Sequence, residues 1–529
     1  MKVSKDSFIV RSLMAPIKWS SSESKVSYAY RGRKSGRYPQ DRMAKIKVVL
    51  GFVIAIQFLF YMINTNNLNA DQNSNASDLI RCGTLNFDVD TSKDIAAIDN
   101  LSKMTELDLK GCNLKEIPAT IQYATNLRKL DVSNNPLLST FPPEMVHCTK
   151  LDILFASSCP SITSLPTVLG NMPSITRLGW RSGSLTELNP DGLPPNLVHL
   201  IMTHNKLKSL GDPRLFEKMK HVRKLMLSHN QLSSFGGKEG ETGVEMLQNL
   251  ELMRLGGNQL TEIPESLWKL PKLTWLTISG NPVTDAFAAK SKSNPSVPSI
   301  RMSDLKPTGN YLGQGASGKV ESYQWQNKEV AVKLIHGVTS DGKAEDELSI
   351  YGAVGSSGFS NRVVGCLALL DDVRKGIVMD VLPSNLDDFA LPPTIKEVTK
   401  DRWDTTSTFS ASFVKNALQD SANALNFLHS KVGISHGDFY AHNMKVDKAT
   451  GRVYLLDFGA SYFKGEYTLK AEKLEIRAFG VLVTELIEVM DPQESLLREK
   501  LITLYKKCIN EDVSARPTFS EIEEIVKTL

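Results

Sequence analysis

The chain has 529 residues, enough for two or three domains, and its 41% hydrophobic and 23% charged residues are typical of a folded globular protein. The net charge of +4 is unevenly distributed, because residues 1–47 hold 12 Lys and Arg against 3 Asp and Glu, whereas the remainder holds 50 against 55. The basic excess is therefore confined to a tail, which argues against a nucleic-acid-binding body.

Two segments precede the folded part. Residues 1–45 form a basic tail without apolar periodicity, and we interpret them as disordered. Residues 46–63 read IKVVLGFVIAIQFLFYMI. The length and apolarity of this segment favour a single-pass membrane anchor over two alternatives, a cleaved targeting segment and a buried helix.

From residue 101 to about residue 285 the chain repeats itself. Eight copies of the pattern Leu-x-x-Leu-x-Leu-x-x-Asn/Cys-x-Leu follow one another, and the Asn/Cys position advances by 22 to 28 residues each time. In a stacked array each copy supplies one short strand, its leucines fill a shared core, and its Asn bonds backbone groups at the bend. The Asn/Cys positions are Cys112, Asn135, Cys159, Gly183, Asn205, Asn230, Asn258 and Asn281.

This pattern resembles the leucine-rich repeat family. The resemblance implies an α/β solenoid shaped like a horseshoe that binds a protein ligand, with residues 64–100 as a linker and N-terminal cap. The six cysteines include no Cys-x-x-Cys pair, so the spacing of a metal site is absent. Cys112 and Cys159 occupy the repeat position and favour core packing, and a disulfide such as Cys82–Cys112 is the alternative.

A glycine-rich stretch follows a small, polar linker at residues 286–305. Three glycines at its spacing let a hairpin approach a polyphosphate closely, because no side chain intervenes. Lys333 ends an apolar run that predicts a neighbouring strand, which would aim an ammonium at the same phosphates. The stretch consists of Leu312, Gly313, Gln314, Gly315, Ala316, Ser317, Gly318, Lys319 and Val320. Together with Lys333 it resembles the protein kinases, which implies a bilobal α+β kinase domain at residues 306–529 that binds ATP.

The kinase resemblance assigns further residues to the site. Glu347 is the expected partner of Lys333, in preference to Glu345 and Asp346, because apolar residues follow it at helical spacing. The segment that contains Met379, Asp380 and Leu382 would border the adenine base.

The stretch His436–Asn443 looks like the kinase catalytic loop. In that role Asp438 would accept the proton of the substrate hydroxyl. Asn443, with Asp457 of the Asp-Phe-Gly motif, would hold Mg²⁺.

Several residues depart from the kinase pattern. Gly437 replaces the usual Arg, and only 17 residues separate Asp457 from Glu475, so the activation segment is short and control by its phosphorylation is not expected. Tyr440 and His442 match neither the Ser/Thr nor the Tyr kinase signature. Arg516 would normally pair with a Glu of the shortened segment. Glu472 and Glu466 are candidate substitutes, but the general exposure of Glu favours a solvated surface position for both.

Two functions are consistent with these features. The leading one is an ATP- and Mg²⁺-dependent protein kinase, with Ser/Thr favoured over Tyr, that uses its repeats for protein recognition in signal transduction. The alternative is a nucleotide-binding pseudokinase that acts as a leucine-rich-repeat scaffold or receptor. Because the linker holds no apolar run, the repeats and the kinase-like half would share one side of a membrane. The supply of ATP favours the cytosolic side, whereas the basic flank favours the opposite one. We expect the cytosolic side, because catalysis constrains more residues than the flank charges do.

Overall fold

The computed structural model describes residues 95–236, 242–291, 297–315, 318–335, 341–358, 360–404 and 408–529. All of them fall within one unit, residues 76–529. The predicted basic tail, residues 1–45, and the predicted anchor, residues 46–63, lie outside the described residues.

Eight parallel strands, paired in chain order, form the inner face of the solenoid. Each strand has a buried Leu or Met at its centre, and these central residues pair across the sheet, as Leu107 does with Leu130. The strands are Glu106–Asp108 (β1), Lys129–Asp131 (β2), Ile153–Phe155 (β3), Arg177–Gly179 (β4), His199–Ile201 (β5), Lys224–Met226 (β6), Leu252–Arg254 (β7) and Trp275–Thr277 (β8). The eight predicted repeats are thereby confirmed, one strand to each copy.

Buried asparagines link successive repeats. Asn258 Nδ2 donates to Leu227 O of the preceding copy at 3.1 Å and to Leu255 O at 2.8 Å, while its Oδ1 accepts a bond from Leu232 N at 3.1 Å. These groups point away from the strand ladder and are paired by the side chain instead. Equivalent bonds are made by Asn135, Asn205, Asn230 and Asn281.

Short helical turns form the outer layer of the solenoid. They include Ile95–Lys103 (α1), Pro213–Lys218 (α2) and Glu265–Trp268 (α3), with 3₁₀ turns at Ala119–Tyr123, Pro143–His147, Thr167–Asn171, Pro190–Gly192 and Val244–Met246. Cys159 packs in the core as predicted, with Sγ 3.4 Å from Val132 O. Cys112 is disulfide-bonded, which corresponds to the alternative for that residue.

The C-terminal half begins with a sheet and one helix. Helix Pro282–Ser291 (α4) extends into the predicted linker. Six strands then pair in the order β10-β11-β12-β14-β13-β9, with helix Ala344–Ser356 (α5) against the sheet. The strands are Ser299–Ile300 (β9), Lys306–Gly315 (β10), Gly318–Trp325 (β11), Lys328–Ile335 (β12), Cys366–Leu370 (β13) and Gly376–Asp380 (β14).

The rest of the chain is mostly helical. Its helices are Ala411–Phe427 (α6), Thr468–Val489 (α7), Ser495–Cys508 (α8) and Phe519–Lys527 (α9). Two small sheets accompany them, one of Leu386–Asp388 (β15), Met444–Asp447 (β17) and Arg452–Leu455 (β18), the other of Ile434–Ser435 (β16) and Tyr462–Phe463 (β19). The candidate site residues lie at the ends of β16 and β18 and on the facing sheet.

The predicted single-pass membrane localisation is corrected by the structure. Within the described ranges, none of the helices combines the length and apolarity that crossing a membrane requires.

Candidate functional site

Lys333, Glu347 and Asp457 come together from three different elements. Lys333 lies on β12 with a side chain only 6% exposed, and its Nζ is 2.5 Å from Glu347 Oε1 and 3.6 Å from Asp457 Oδ1. Glu347 projects from the first turn of α5, and Asp457 follows β18 with a left-handed φ of 57°. Glu345, which is not the expected partner of Lys333, is exposed.

The two carboxylates keep Lys333 charged. Burial by itself lowers the pKa of Lys333, but the charges of Asp457 and Glu347 outweigh that effect, so the pKa lies above its usual value. The site therefore holds a fixed ammonium whose direction is set by Glu347. Such a group can bind a phosphate oxygen without first being protonated.

The described residues of the glycine-rich stretch form the end of β10 and the start of β11, which pair antiparallel. Gly315 pairs with Gly318, and a Cβ on Gly318 would lie 2.2 Å from Leu334 O, so this position requires glycine. Lys319 is exposed and its Nζ bonds Glu321 at 2.5 Å, away from Lys333. Leu312 is exposed, Val320 pairs with Lys333 across β11 and β12, and Ala316 and Ser317 lie outside the described residues.

The segment expected at the adenine base lies at the end of β14. Met379 is buried and pairs with Ala331 of β12. Asp380 forms an ion pair with Lys328 of β12, so its carboxylate is already engaged. Leu382 is half-buried just beyond the strand.

Asp438 lies in the loop after β16, and both of its carboxylate oxygens have partners. Asn443 Nδ2 donates to Asp438 Oδ2 at 3.1 Å and to Asp438 O at 2.7 Å. Asp438 Oδ1 forms an ion pair with Arg254, whose side chain is 5% exposed and belongs to strand β7 of the seventh repeat. Burial raises the pKa of Asp438, but Arg254 and His442 outweigh it, and the pKa is lowered overall.

Arg254 was not identified from the sequence. Its Nε lies 3.0 Å from Asp341 Oδ1, just before α5, and its Nη1 donates to Gly437 O at 3.0 Å. The residue occupies an ordinary variable position of a repeat, and no motif marks it. Only the fold brings it next to a loop 184 positions further along the chain.

A buried carboxylate holds the backbone of the Asp438 loop. Glu475 of α7 accepts bonds from His436 N at 3.0 Å and from Gly437 N at 2.8 Å, and it bonds His429 Nε2 at 2.6 Å. Burial raises the pKa of Glu475, but His429, His436 and the loop amide outweigh it and lower the pKa overall. Lys464 also belongs to this network, because its Nζ lies 3.0 Å from Nδ1 of His429.

Aromatic and charged groups support the remaining loop residues. Tyr440 stacks on Trp275 of the eighth repeat, with ring centroids 4.1 Å apart. His442 Nδ1 bonds Asp401 Oδ1 at 2.6 Å. Burial lowers the pKa of His442, but Asp401 outweighs it and raises the pKa overall.

Arg516 binds backbone carbonyls instead of Glu472 or Glu466. It donates to the carbonyls of Pro271 at 2.7 Å, Lys473 at 3.0 Å and Asn510 at 3.0 Å. Glu472 accepts from Phe519 N at 2.8 Å, and Glu466 is exposed, as the favoured alternative for that residue has it. Pro271 belongs to the repeats, so their packing provides one of the acceptors that the kinase resemblance assigns to a Glu.

These features define a leucine-rich repeat protein with a mixed α and β C-terminal half. Models of the leucine rich repeat match residues 126–148 and 240–283. The repeats of this chain are therefore leucine-rich repeats by pattern, by family model and by their parallel sheet.

The chain is similar in sequence to parts of several known proteins. Receptor-like protein 54 of Arabidopsis thaliana is 28% identical over 195 residues, which is 34% of this chain and 23% of that protein. Leucine-rich repeat serine/threonine-protein kinase 1 of Mus musculus is 28% identical over 34% of this chain and 9% of its own length. Osteomodulin of Bos taurus is 25% identical over 44% and 54%. The chain spans less than two thirds of each of these relatives.

Proposed function

We propose that the chain is an ATP- and Mg²⁺-dependent protein kinase, with Ser/Thr favoured over Tyr as acceptor, in which leucine-rich repeats contribute protein recognition for signal transduction. The observation that carries the proposal is the position of Lys333. Its ammonium lies 2.5 Å from Glu347 on α5 and 3.6 Å from Asp457 beyond the end of β18. Phosphoryl transfer depends chiefly on such positioning and on electrostatic stabilisation.

Each residue of the site has a specific role in this proposal. Lys333 binds phosphate oxygens and is aimed by Glu347, while Asp438 orients the acceptor hydroxyl and receives its proton. Asn443 directs its amide nitrogen at Asp438, so its amide oxygen is the atom that can bind a cation. That oxygen and the Asp457 carboxylate are hard ligands of the kind Mg²⁺ prefers, and bound Mg²⁺ would neutralise charge on the phosphates.

The repeats have an inner surface suited to a protein ligand. On the first three strands the inner face carries Glu106, Asp131 and Phe155, which are exposed or half-buried. Leucine-rich repeats commonly bind proteins through such surfaces. We therefore place the ligand of the repeats on β1–β3.

A second function is favoured by one specific contact. The ion pair between Arg254 and Asp438 engages the oxygen that an acceptor hydroxyl would need. A chain in which this pair is permanent would bind nucleotide without transferring phosphate, as a pseudokinase that acts as a scaffold or receptor.

The full-length protein incubated with γ-labelled ATP and Mg²⁺ distinguishes the two functions. A kinase transfers label to itself or to added protein, and Asp438→Asn abolishes this transfer. Binding of Mg·ATP without transfer in the wild type would favour the pseudokinase. Lys375→Met is the matched control, because Lys375 is exposed, pairs with Asp371 and lies outside the proposed site.

A further inference from the structure

The inner face of the seventh and eighth repeats covers the loop that carries Asp438. Trp275 Nε1 donates to Phe439 O at 2.8 Å, and its ring stacks on Tyr440. Thr277 Oγ1 donates to Ala460 O at 2.7 Å. These contacts hold β8 against the two residues that follow Asp438 and against Ala460.

Arg254 lies at the centre of this contact. It bridges Asp341, the backbone of Gly437 and the carboxylate of Asp438, and its side chain is 5% exposed. Asn443 binds the other oxygen of Asp438. An acceptor hydroxyl therefore has to compete with Arg254 for the Asp438 carboxylate, whose side chain is 20% exposed.

Gly437 permits the close approach of the repeats. It has a φ of 74°, and a Cβ there would lie 2.5 Å from Ala460 O and 2.9 Å from Leu276 O. Leu276 belongs to β8, so any larger side chain would push against the repeat sheet as well as strain the backbone. The replacement of Arg by Gly in this loop thus has a structural reason.

We infer that the repeats inhibit phosphoryl transfer to other proteins within the same chain, with Arg254 occupying the acceptor's place on Asp438. The inference rests on the proposed kinase function and specifies its regulation. A protein activator or substrate then has to draw Arg254 away from Asp438.

The proposed inhibition depends on the side chain of Arg254 and not on the position of the repeats as a whole. Tyr467 and Leu474 of the C-terminal half are buried in the core of the repeats, while Leu252 and Trp275 of the repeats are buried in the core of the C-terminal half. Separating the two halves would expose both groups to water at once. Activation therefore proceeds through movement of Arg254 and not through release of the repeats.

The experiment compares the full-length wild type with Arg254→Met, which keeps the aliphatic length and removes the charge. The acceptor is a pool of random peptides containing Ser, Thr and Tyr, and the donor is γ-labelled ATP with Mg²⁺. Arg223→Met is the matched control, because Arg223 precedes a strand of the same sheet but pairs with Glu251. Loss of one charged hydrogen bond predicts an initial rate for Arg254→Met about ten- to a hundredfold above wild type, with Mg·ATP affinity unchanged.

Three results would overturn the inference. If wild type, Arg254→Met and Arg223→Met transfer phosphate at equal rates, the kinase proposal stands and the inhibition does not. If Arg254→Met is slower than wild type, Arg254 assists the reaction. If none of them transfers phosphate although all bind Mg·ATP, both the inhibition and the kinase proposal are refuted.

Should Arg254→Met fail to fold, Arg254→Lys replaces it, since a lysine cannot serve all three partners. A wild-type rate for Arg254→Lys then counts against the inference.

Discussion

Glu475→Gln removes the charge that holds the Asp438 loop while it keeps the side-chain shape. Glu475 is 3% exposed and accepts two backbone N–H bonds, from His436 and Gly437, besides its bond to His429. A glutamine has one acceptor oxygen and one donor nitrogen, so at least one of these amides would face another donor.

The expected loss of stability is large. A hydrogen bond to a charged group contributes about 1.5–3 kcal/mol, and breaking a buried charged pair costs about 3–5 kcal/mol because the partners remain buried. Since the three bonds share one carboxylate, their contributions do not add in full. We expect the free energy of unfolding to fall by about 3–5 kcal/mol.

Urea denaturation at pH 7 measures this change, with Glu488→Gln as the control. Glu488 lies on the same helix, but its side chain is 54% exposed in its pair with Lys400. The Glu488→Gln substitution should therefore lower the free energy of unfolding by less than about 1 kcal/mol. The lowered pKa of Glu475 adds a pH signature, because its contribution is present above the unfolded pKa and is lost as the pH falls through the folded value. Equal unfolding free energies for the two variants would refute the role assigned to Glu475.

Three further predictions concern catalysis, regulation and pH. Lys333→Met and Asp438→Asn should each abolish phosphate transfer without changing the circular dichroism spectrum, and Asp438→Asn with most of the wild-type rate would disprove its role as base. Phosphatase treatment should leave the kinase activity unchanged, because the hydroxyl side chains between Asp457 and Glu475 are buried, except that of Thr468. Loss of activity after phosphatase treatment, with recovery in the Thr468→Glu variant, would contradict this prediction. Burial and nearby cations lower the pKa of His199 to about 3. Between pH 6.5 and pH 5 this histidine should therefore reduce the free energy of unfolding by about 2 kcal/mol in urea titrations, because only the unfolded chain takes up the proton. His199→Phe should remove this pH dependence, and an unchanged dependence in the variant would refute the prediction.

The repeats were predictable because their pattern acts locally. Each leucine spacing determines one strand, and each buried Asn, such as Asn258, satisfies backbone groups within its own and the preceding copy. The same reasoning selected Glu347 over its neighbours, since apolar residues follow it at helical spacing, and in the structure Glu347 faces Lys333.

Contacts between the two halves could not be predicted in this way. Arg254 stands at a variable repeat position, and its approach to Asp438 depends on how the solenoid packs against a loop far away in sequence. Arg516 shows the same limit, because one of its acceptors is the carbonyl of Pro271 in the repeats, which no sequence motif marks. Gly437 looked like the loss of a regulatory contact, whereas it accommodates the backbone of β8.

The most direct test of the proposed site is the equilibrium binding of ATP by calorimetry, with and without Mg²⁺. The wild type should bind Mg·ATP, with affinity that falls when Mg²⁺ is removed and falls about tenfold or more in Lys333→Met and in Asp457→Asn. The control Lys375→Met should bind as the wild type does, because Lys375 pairs with Asp371 at the surface, outside the proposed site. Equal affinity in all four proteins, or no binding by the wild type, would contradict a nucleotide site built on Lys333 and Asp457.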